Sequence, residues 1–132
     1  MNTDVANLDR AVAAIDQHWD PRIFARVNDH MIKVVKVEGE FVWHSHPDSD
    51  EMFLVLEGEL TIGLRDADRQ VTAITLGVGD SYVIPRGVVH RPESASGATA
   101  VLIEHRDTTN TGEHEGTLPD HIVTTLGRES GA

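Results

Sequence analysis

Alternating hydrophobic and polar residues along most of the chain predict short β-strands. Leu60, Ile62 and Leu64 alternate with polar or small residues, which is the two-residue period of a half-buried strand. Similar stretches rich in valine and isoleucine follow along the chain, and turn residues separate them at intervals of roughly eight to twelve positions. About nine or ten short strands with this spacing indicate an all-β sandwich or barrel.

The predicted strands are enriched in β-branched and aromatic residues and cover positions 22–27, 31–38, 40–46, 51–57, 60–65, 71–76, 81–84, 88–91 and 99–105. We expect a loop over 93–97, between the last two strands. Within 40–46, the strand period places His44 and His46 on the same face. Phe41 and Trp43 are then expected to point the other way, away from the two histidines.

One segment near the N-terminus has the period of a helix. Its apolar positions are spaced four, three and four residues apart and are Leu8, Val12, Ile15 and Trp19. Asn7 is a suitable N-cap, and Pro21 ends the helix because a residue before proline is disfavoured in the α region. We therefore expect one helix over 7–19 that packs on the sheet or on a neighbouring subunit.

The chain has 132 residues, which is the length of one domain. We divide it into an N-terminal arm and helix (1–21), a β-barrel (22–106) and a C-terminal tail (107–132). The tail begins with a polar stretch rich in glycine and threonine, so we expect a loop or arm there. Residues 121–126 could add an edge strand or lie on a partner subunit.

Composition excludes several classes of function. The formal net charge of −11 would repel nucleic acid and anionic membranes, so we expect neither as a partner. The chain has no cysteine, which excludes disulfides, thiolate metal sites and a cysteine nucleophile. We see no signal peptide and no apolar run approaching about 18 residues, and therefore expect a cytoplasmic protein.

Two separated blocks of the sequence carry candidate metal ligands. His44 and His46 share a strand face, so their imidazoles can converge, and Glu51 follows across a short polar connection. His90, which follows a proline and glycine turn, could supply a third imidazole. Imidazole nitrogens with one carboxylate oxygen suit a divalent transition metal of intermediate softness.

These blocks resemble the two sequence motifs of the cupin superfamily. The first block reads His44-x-His46-x4-Glu51-x6-Gly58, and the second reads Gly79-x5-Pro85-x-Gly87-x2-His90. The chain also resembles the small single-domain cupins often called mannose-6-phosphate isomerase-like, a label that does not establish an activity. The resemblance implies a double-stranded β-helix, or jelly-roll, barrel in residues 22–106, with the N-terminal helix outside it.

The same resemblance implies one divalent metal, with His44, His46, Glu51 and His90 as its ligands. Fe, Mn, Ni, Zn and Co all suit such a ligand set. Four protein ligands leave one or two positions open for a substrate if the metal is five- or six-coordinate. Glu51 could also release the metal and move a proton, which makes it the candidate catalytic residue. Single-domain cupins commonly form homodimers, so we expect one here.

Three further residues are candidates for the substrate pocket. Phe53 shares the face of Glu51 because it lies two positions further along the strand. Tyr82 could donate a hydrogen bond to a bound molecule, and Arg86 could meet an anionic substrate at the mouth of the barrel. Glu104, at the end of a strand, is interpreted as a surface residue that pairs with a neighbouring charge.

Two functions of different classes remain open from the sequence. The first is an enzyme that acts on a small oxygenated molecule by isomerase or epimerase, lyase or dioxygenase chemistry. The second is a non-catalytic cupin that binds or senses a small ligand. A sugar-phosphate isomerase ranks lower, because the chain has only 11 lysine and arginine residues and few lie near the motifs.

Overall fold

The computed structural model describes residue 1 and residues 3–130, which fold mainly as β-strands with one short helix. The elements are α1 (Leu8–Ala13), β1 (Arg22–Val27), β2 (His30–Glu40), β3 (His44–Ser45), β4 (Glu51–Gly58), β5 (Leu60–Arg65), β6 (Val71–Leu76), β7 (Ser81–Ile84), β8 (Val89–His105), β9 (Glu113–His114) and β10 (Arg128–Glu129). The strands form a jelly-roll β-barrel, which confirms the predicted fold class.

The longest strand, β8, joins the two halves of the barrel. It has 17 residues and pairs antiparallel with β2, β3, β4 and β5. Its first part, through Glu93, pairs with β5, and its second part, from Ala98, pairs with β4. The loop predicted over 93–97 is therefore wrong, because the strand continues through this stretch as it passes from one neighbour to the other.

The N-terminal helix is shorter than the sequence pattern predicts. Asn7 is its N-cap, with the side-chain oxygen accepting a hydrogen bond from Arg10 N, but α1 ends at Ala13. Trp19 lies outside the helix at a positive φ of 62°. Its backbone N–H donates to Lys36 O and its indole N–H donates to Glu38 O, so β2 holds this residue in place of a further helical turn.

The prediction of one continuous strand over 40–46 is also wrong. β2 ends at Glu40 and β3 begins at His44, so the regular alternation of side chains is interrupted between them. Phe41 consequently faces the interior: its ring stacks on Trp19 at 4.8 Å and meets the edge of His44 at 5.1 Å. Trp43 instead packs against the guanidinium groups of Arg65 and Arg91, which lie 5.1 and 5.0 Å from the centroid of its ring.

The hydrophobic core fills the barrel between the sheets. Its buried members come from nearly every long strand and are Val35, Val37, Phe53, Val55, Leu60, Ile62, Leu76, Ile84, Ala98, Ala100 and Leu102, together with Trp19, Phe41 and Ile122. A smaller cluster of Ala11, Ile15 and Val34 fixes the N-terminal segment against the outer side of β2. No helix in the described part of the chain is long and apolar enough to cross a membrane.

The described part of the C-terminal tail lies on the barrel of its own chain. Thr111 and Ile122 are buried, and the Asn110 side chain bonds to the backbone of Val123 and Thr125. Residues 121–126 form no strand, which corrects that expectation, and the pairing with β1 is made instead by β10. A contact between the tail and a partner subunit stays a prediction.

Candidate metal centre

The four residues singled out by spacing meet inside the barrel. One ligand atom from each of His44, His46, Glu51 and His90 lies within 4.8 Å of the others, and all four side chains are buried. His44 and His90 are direct partners across β3 and β8, with ring centroids 4.2 Å apart. Glu51 opens β4 and reaches His90 Nε2 at 3.2 Å from its Oε1.

Backbone carbonyl groups orient two of the imidazoles. His44 Nδ1 lies 2.8 Å from Val42 O, and His90 Nδ1 lies 2.9 Å from Val88 O. A carbonyl oxygen can only accept, so these contacts assign the proton of each neutral ring to Nδ1 and leave a lone pair on Nε2. This is the arrangement that a metal-binding histidine requires.

Two features of the cluster are unfavourable unless a cation lies within it. With the proton of a neutral His90 ring on Nδ1, Nε2 faces Glu51 Oε1 at 3.2 Å, and this contact is favourable only when a proton or a metal ion lies between the two atoms. His46 is only 3% exposed, its Nδ1 has no hydrogen-bond partner, and its Nε2 lies 3.5 Å from Glu51 Oε2 without forming a hydrogen bond. Buried polar atoms without partners destabilise a fold, and a metal ion bound by these atoms would satisfy them.

The backbone of the C-terminal tail packs closely against the ring of His46. A Cβ atom added to Gly112, in the tail, would lie 2.7 Å from His46 Nδ1 and 2.2 Å from Ser45 O. Gly112 also has a positive φ of 45°. Only glycine can bring its backbone this close, so the C-terminal tail sets one wall of the cluster.

A buried chain of charged groups continues from Glu51 away from the histidines. Glu104 adjoins Glu51, and its Oε1 accepts a hydrogen bond of 2.7 Å from Lys33 Nζ. Lys33 and Glu104 are at most 1% exposed, and Lys33 also lies 3.4 Å from Thr108 O. The surface position expected for Glu104 is therefore wrong.

Burial and these neighbours separate the protonation of the two carboxyl groups. Burial raises the pKa of Glu104 well above its usual range, and the charge of Glu51 adds to this increase. Burial would also raise the pKa of Glu51, but the contacts with Glu104 and the cluster histidines outweigh it and hold that pKa well below the usual range. These opposite directions place the proton of the pair on Glu104, whose buried Oε2 has no other partner, and leave Glu51 as the carboxylate.

The histidine at the centre of the cluster is neutral. Burial, helped by the nearby His90, lowers the pKa of His44 to about 3 against the opposing effect of Glu51. A neutral imidazole is the form that binds a metal. The donor set of three imidazole nitrogens and one carboxylate oxygen therefore fits a divalent transition metal at neutral pH.

A small cavity of about 40 Å³ adjoins the cluster and reaches His44 and Glu51. Most of its wall is apolar and is formed by Trp19, Val35, Val37, Phe41, Phe53 and Leu102. Phe53 thus lies where the sequence places a pocket residue. Tyr82 packs against the core but does not line this cavity, and Arg86 is exposed beside Asp50. A role in substrate binding stays a prediction for all three.

Sequence reasoning missed three residues of this site, for different reasons. Lys33 shares a strand face with Met31 and Val35, both buried, so the two-residue period does indicate an inward ammonium. Glu104 ends an apolar run, which gives a weaker signal. Gly112 carries no local signal, because its role depends on where the tail meets His46.

The chain belongs to a cupin family. The model of that family, described as a cupin domain, matches residues 31–105. This supports the superfamily, while the narrower mannose-6-phosphate isomerase-like group finds no specific support. The matched range contains all four residues of the cluster.

Among curated proteins, the chain is 44% identical over 82 residues to the uncharacterized protein YdbB of Bacillus subtilis, covering 62% of this chain and 69% of YdbB. Among solved structures, a cupin-2 domain containing protein from Shewanella frigidimarina is 47% identical, with a TM-score of 0.71 over 77% of this chain and 95% of that protein. Hydroquinone 1,2-dioxygenase from Sphingomonas sp. TTNP3, solved with 4-hydroxybenzoate bound, is 22% identical, with a TM-score of 0.63 over 69% of this chain and 28% of its own. This last likeness shows the fold alone.

Proposed function

We propose that this protein is a mononuclear metal-dependent enzyme that acts on a small oxygen-containing molecule. His44, His46, Glu51 and His90 would hold the metal. The observation that carries the proposal is the buried His46 ring, whose two nitrogens have no partner beside a carboxylate and two imidazoles that point to the same centre. A divalent metal bound there would supply Lewis-acid activation of a substrate oxygen, or dioxygen activation if it is iron.

The residues around the cluster supply what catalysis needs besides a metal. The cavity beside His44 and Glu51 gives a small molecule access to the cluster and an apolar wall that excludes water. Glu104 stores a proton next to Glu51, so the two carboxyl groups can exchange one proton without either being exposed to solvent. Isomerase, epimerase and lyase reactions move protons and would use such a proton-holding group.

Metal content tests the proposal first. We expect protein purified without added metal, then loaded with one metal at a time, to hold about one ion per chain by elemental analysis. His46→Ala should lose most of it, because the variant removes one ligand. His18→Ala is the matched control, since His18 is exposed and far from the motifs. Equal metal content in the two variants would contradict the metal site.

Turnover then separates an enzyme from a binding protein. Metal-loaded protein would be incubated with candidate hydroxy acids, oxo acids and diols while oxygen uptake and product formation are measured. Conversion that depends on His46 and Glu51 supports the enzyme. Tight binding with no conversion of any bound molecule favours the alternative, a cupin that binds or senses a small ligand.

A further inference from the structure

The wall of the cavity beside the cluster decides which molecules can enter. Of the described residues that line it, none is a lysine or arginine. The buried ammonium of Lys33 does not help, because Glu104 and the carbonyl of Thr108 already occupy it. A phosphate group in this cavity would therefore lose its hydration without gaining an opposite charge, which is strongly unfavourable.

The polar groups at the cavity edge are also occupied. Asn110 is the only amide side chain among the described residues of the lining. Its Nδ2 donates to Val123 O, and its Oδ1 accepts from Thr125 N. His44 Nδ1 is held by Val42 O. A ligand rich in hydroxyl groups would leave those hydroxyls without partners against Val35, Val37 and Leu102.

The charge of the metal-bound cluster determines which group of the ligand faces the metal. Three neutral imidazoles, one carboxylate and a divalent ion together leave a net positive charge, which an anionic oxygen group on the ligand offsets. The cavity itself has room for only a few water molecules, so the part of the ligand that fills it is short.

We propose that the site selects a short molecule with one anionic oxygen headgroup and a compact apolar body, such as a 2-hydroxy or 2-oxo acid with a short alkyl side chain. The headgroup faces the cluster and the body fills the apolar cavity. The inference rests on the proposed metal site. It excludes sugar phosphates and polyhydroxy acids as the preferred ligands of this chain.

Three probes with the same headgroup test it. They are 2-hydroxy-3-methylbutanoate with an isopropyl body, glycerate with a hydroxymethyl body, and 3-phosphoglycerate with a phosphate on that body. Binding is measured by calorimetry on cobalt-loaded protein, and the visible spectrum of the cobalt ion reports contact with the cluster. We expect 2-hydroxy-3-methylbutanoate to bind at least about 10-fold more tightly than glycerate, and 3-phosphoglycerate to bind most weakly.

A variant of the wall checks that the cavity is the cause. Val37→Thr keeps the shape of the side chain and replaces one methyl group with a hydroxyl, so the preference for the isopropyl body should shrink several-fold while cobalt content stays unchanged. Val35→Thr repeats the test at a second position, in case the first variant folds poorly by circular dichroism. Val78→Thr, at an exposed position, is the matched control and should change nothing.

Failure of this inference differs from failure of the proposed function. If cobalt is retained but glycerate or 3-phosphoglycerate binds as well as the branched acid, the ligand class is wrong and the metal site stands. The ligand class is equally wrong if no probe shifts the cobalt spectrum. If no cobalt is retained, the metal site and the ligand class are both wrong. If the branched acid binds and is never converted, the ligand class holds and the enzymatic proposal fails.

Discussion

Two carboxyl groups and one ammonium group share the interior of this barrel, and their arrangement explains how they tolerate burial. Lys33 and Glu104 lie on strands β2 and β8 as diagonal neighbours, because Met31 pairs with Glu104 and Lys33 pairs with Leu102. With one proton shared between Glu104 and Glu51, the three groups carry one positive and one negative charge. Removing any of them would leave a buried group uncompensated.

Removing the ammonium should therefore be costly. We expect Lys33→Met to lower the free energy of unfolding of the metal-free protein by about 3–5 kcal/mol, measured by urea denaturation. Lys36→Met, at a partly exposed position of the same strand, is the control and should cost less than about 1 kcal/mol. The double variant Lys33→Met with Glu104→Leu should recover much of the lost free energy of unfolding. If Lys33→Met loses no more than Lys36→Met, the ammonium is not part of a buried charge pair.

The low pKa of His44 predicts a pH dependence for the metal-free protein. Its pKa of about 3 in the fold lies below the ordinary 6.5, so between these values the unfolded chain binds the extra proton. The free energy of unfolding is therefore not reduced by His44 above pH 6.5. As the pH falls below 6.5, His44 lowers it by up to about 1.4 kcal/mol per pH unit. Glu104, whose pKa is raised, acts in the opposite direction over part of this range.

Comparison with His44→Gln isolates the contribution of His44, because Glu104 is present in both proteins. We expect the free energy of unfolding of the metal-free wild type, measured with urea, to fall relative to that of His44→Gln as the pH is lowered from 7 to 5. Parallel curves for the two proteins would show that the imidazole is not kept neutral by the fold.

Gly112 makes a residue-scale prediction about the metal centre. We expect Gly112→Ala to push His46 from its position and to weaken metal binding by roughly 10- to 100-fold, measured by competition with a chelator. Gly116→Ala is a matched control, since Gly116 also has a positive φ but no atom lies within 4 Å of the added Cβ. Similar affinities in the two variants would mean that the tail does not support the cluster.

At the scale of elements, β8 holds the barrel together and depends on a close crossing with β4. A Cβ atom added to Gly58, the last residue of β4, would lie 2.2 Å from Gly97 O. Gly97 lies where β8 passes between its neighbours, so the backbones approach too closely for any side chain. The glycine that closes the first sequence motif is thus required by strand packing, at a distance from the metal ligands.

Two glycine variants separate this steric effect from backbone strain. Gly58→Ala and Gly79→Ala both place alanine at a positive φ, but only Gly58 has atoms close to the added Cβ. We expect a shared loss of about 1–2 kcal/mol from the strained conformation, and a further 1–3 kcal/mol in Gly58→Ala alone. Thermal and urea unfolding measure the loss of stability in each variant. Equal losses in the two variants would contradict the close approach of β4 and β8 at Gly58.

At the scale of the whole molecule, the tail and the segment around Trp19 complete the cavity that the barrel begins. Asn110 comes from the tail and Trp19 from the chain before β1, and both line the space beside His44. Ile122, also from the tail, packs into the main core with Trp19. The N-terminal and C-terminal segments therefore belong to the candidate site as much as the strands that carry its ligands.

The homodimer remains a prediction from the sequence at this scale. We expect light scattering coupled to size-exclusion chromatography to give twice the chain mass of 14.5 kDa. A mass of one chain at micromolar concentrations would contradict the dimer and would leave the metal site unaffected, because all four candidate ligands come from a single chain.

The sequence by itself determined the features that depend on short-range spacing. The two-residue period placed most strands, and the motifs selected the four residues that meet in the barrel. The tertiary structure decided what depends on contacts between distant segments: the break at 41–43 that turns Phe41 inward, the Lys33–Glu104 pair across 71 positions, and the fit of Gly112 against His46. A local period cannot specify these, because each depends on which backbone groups pair after the sheets have closed.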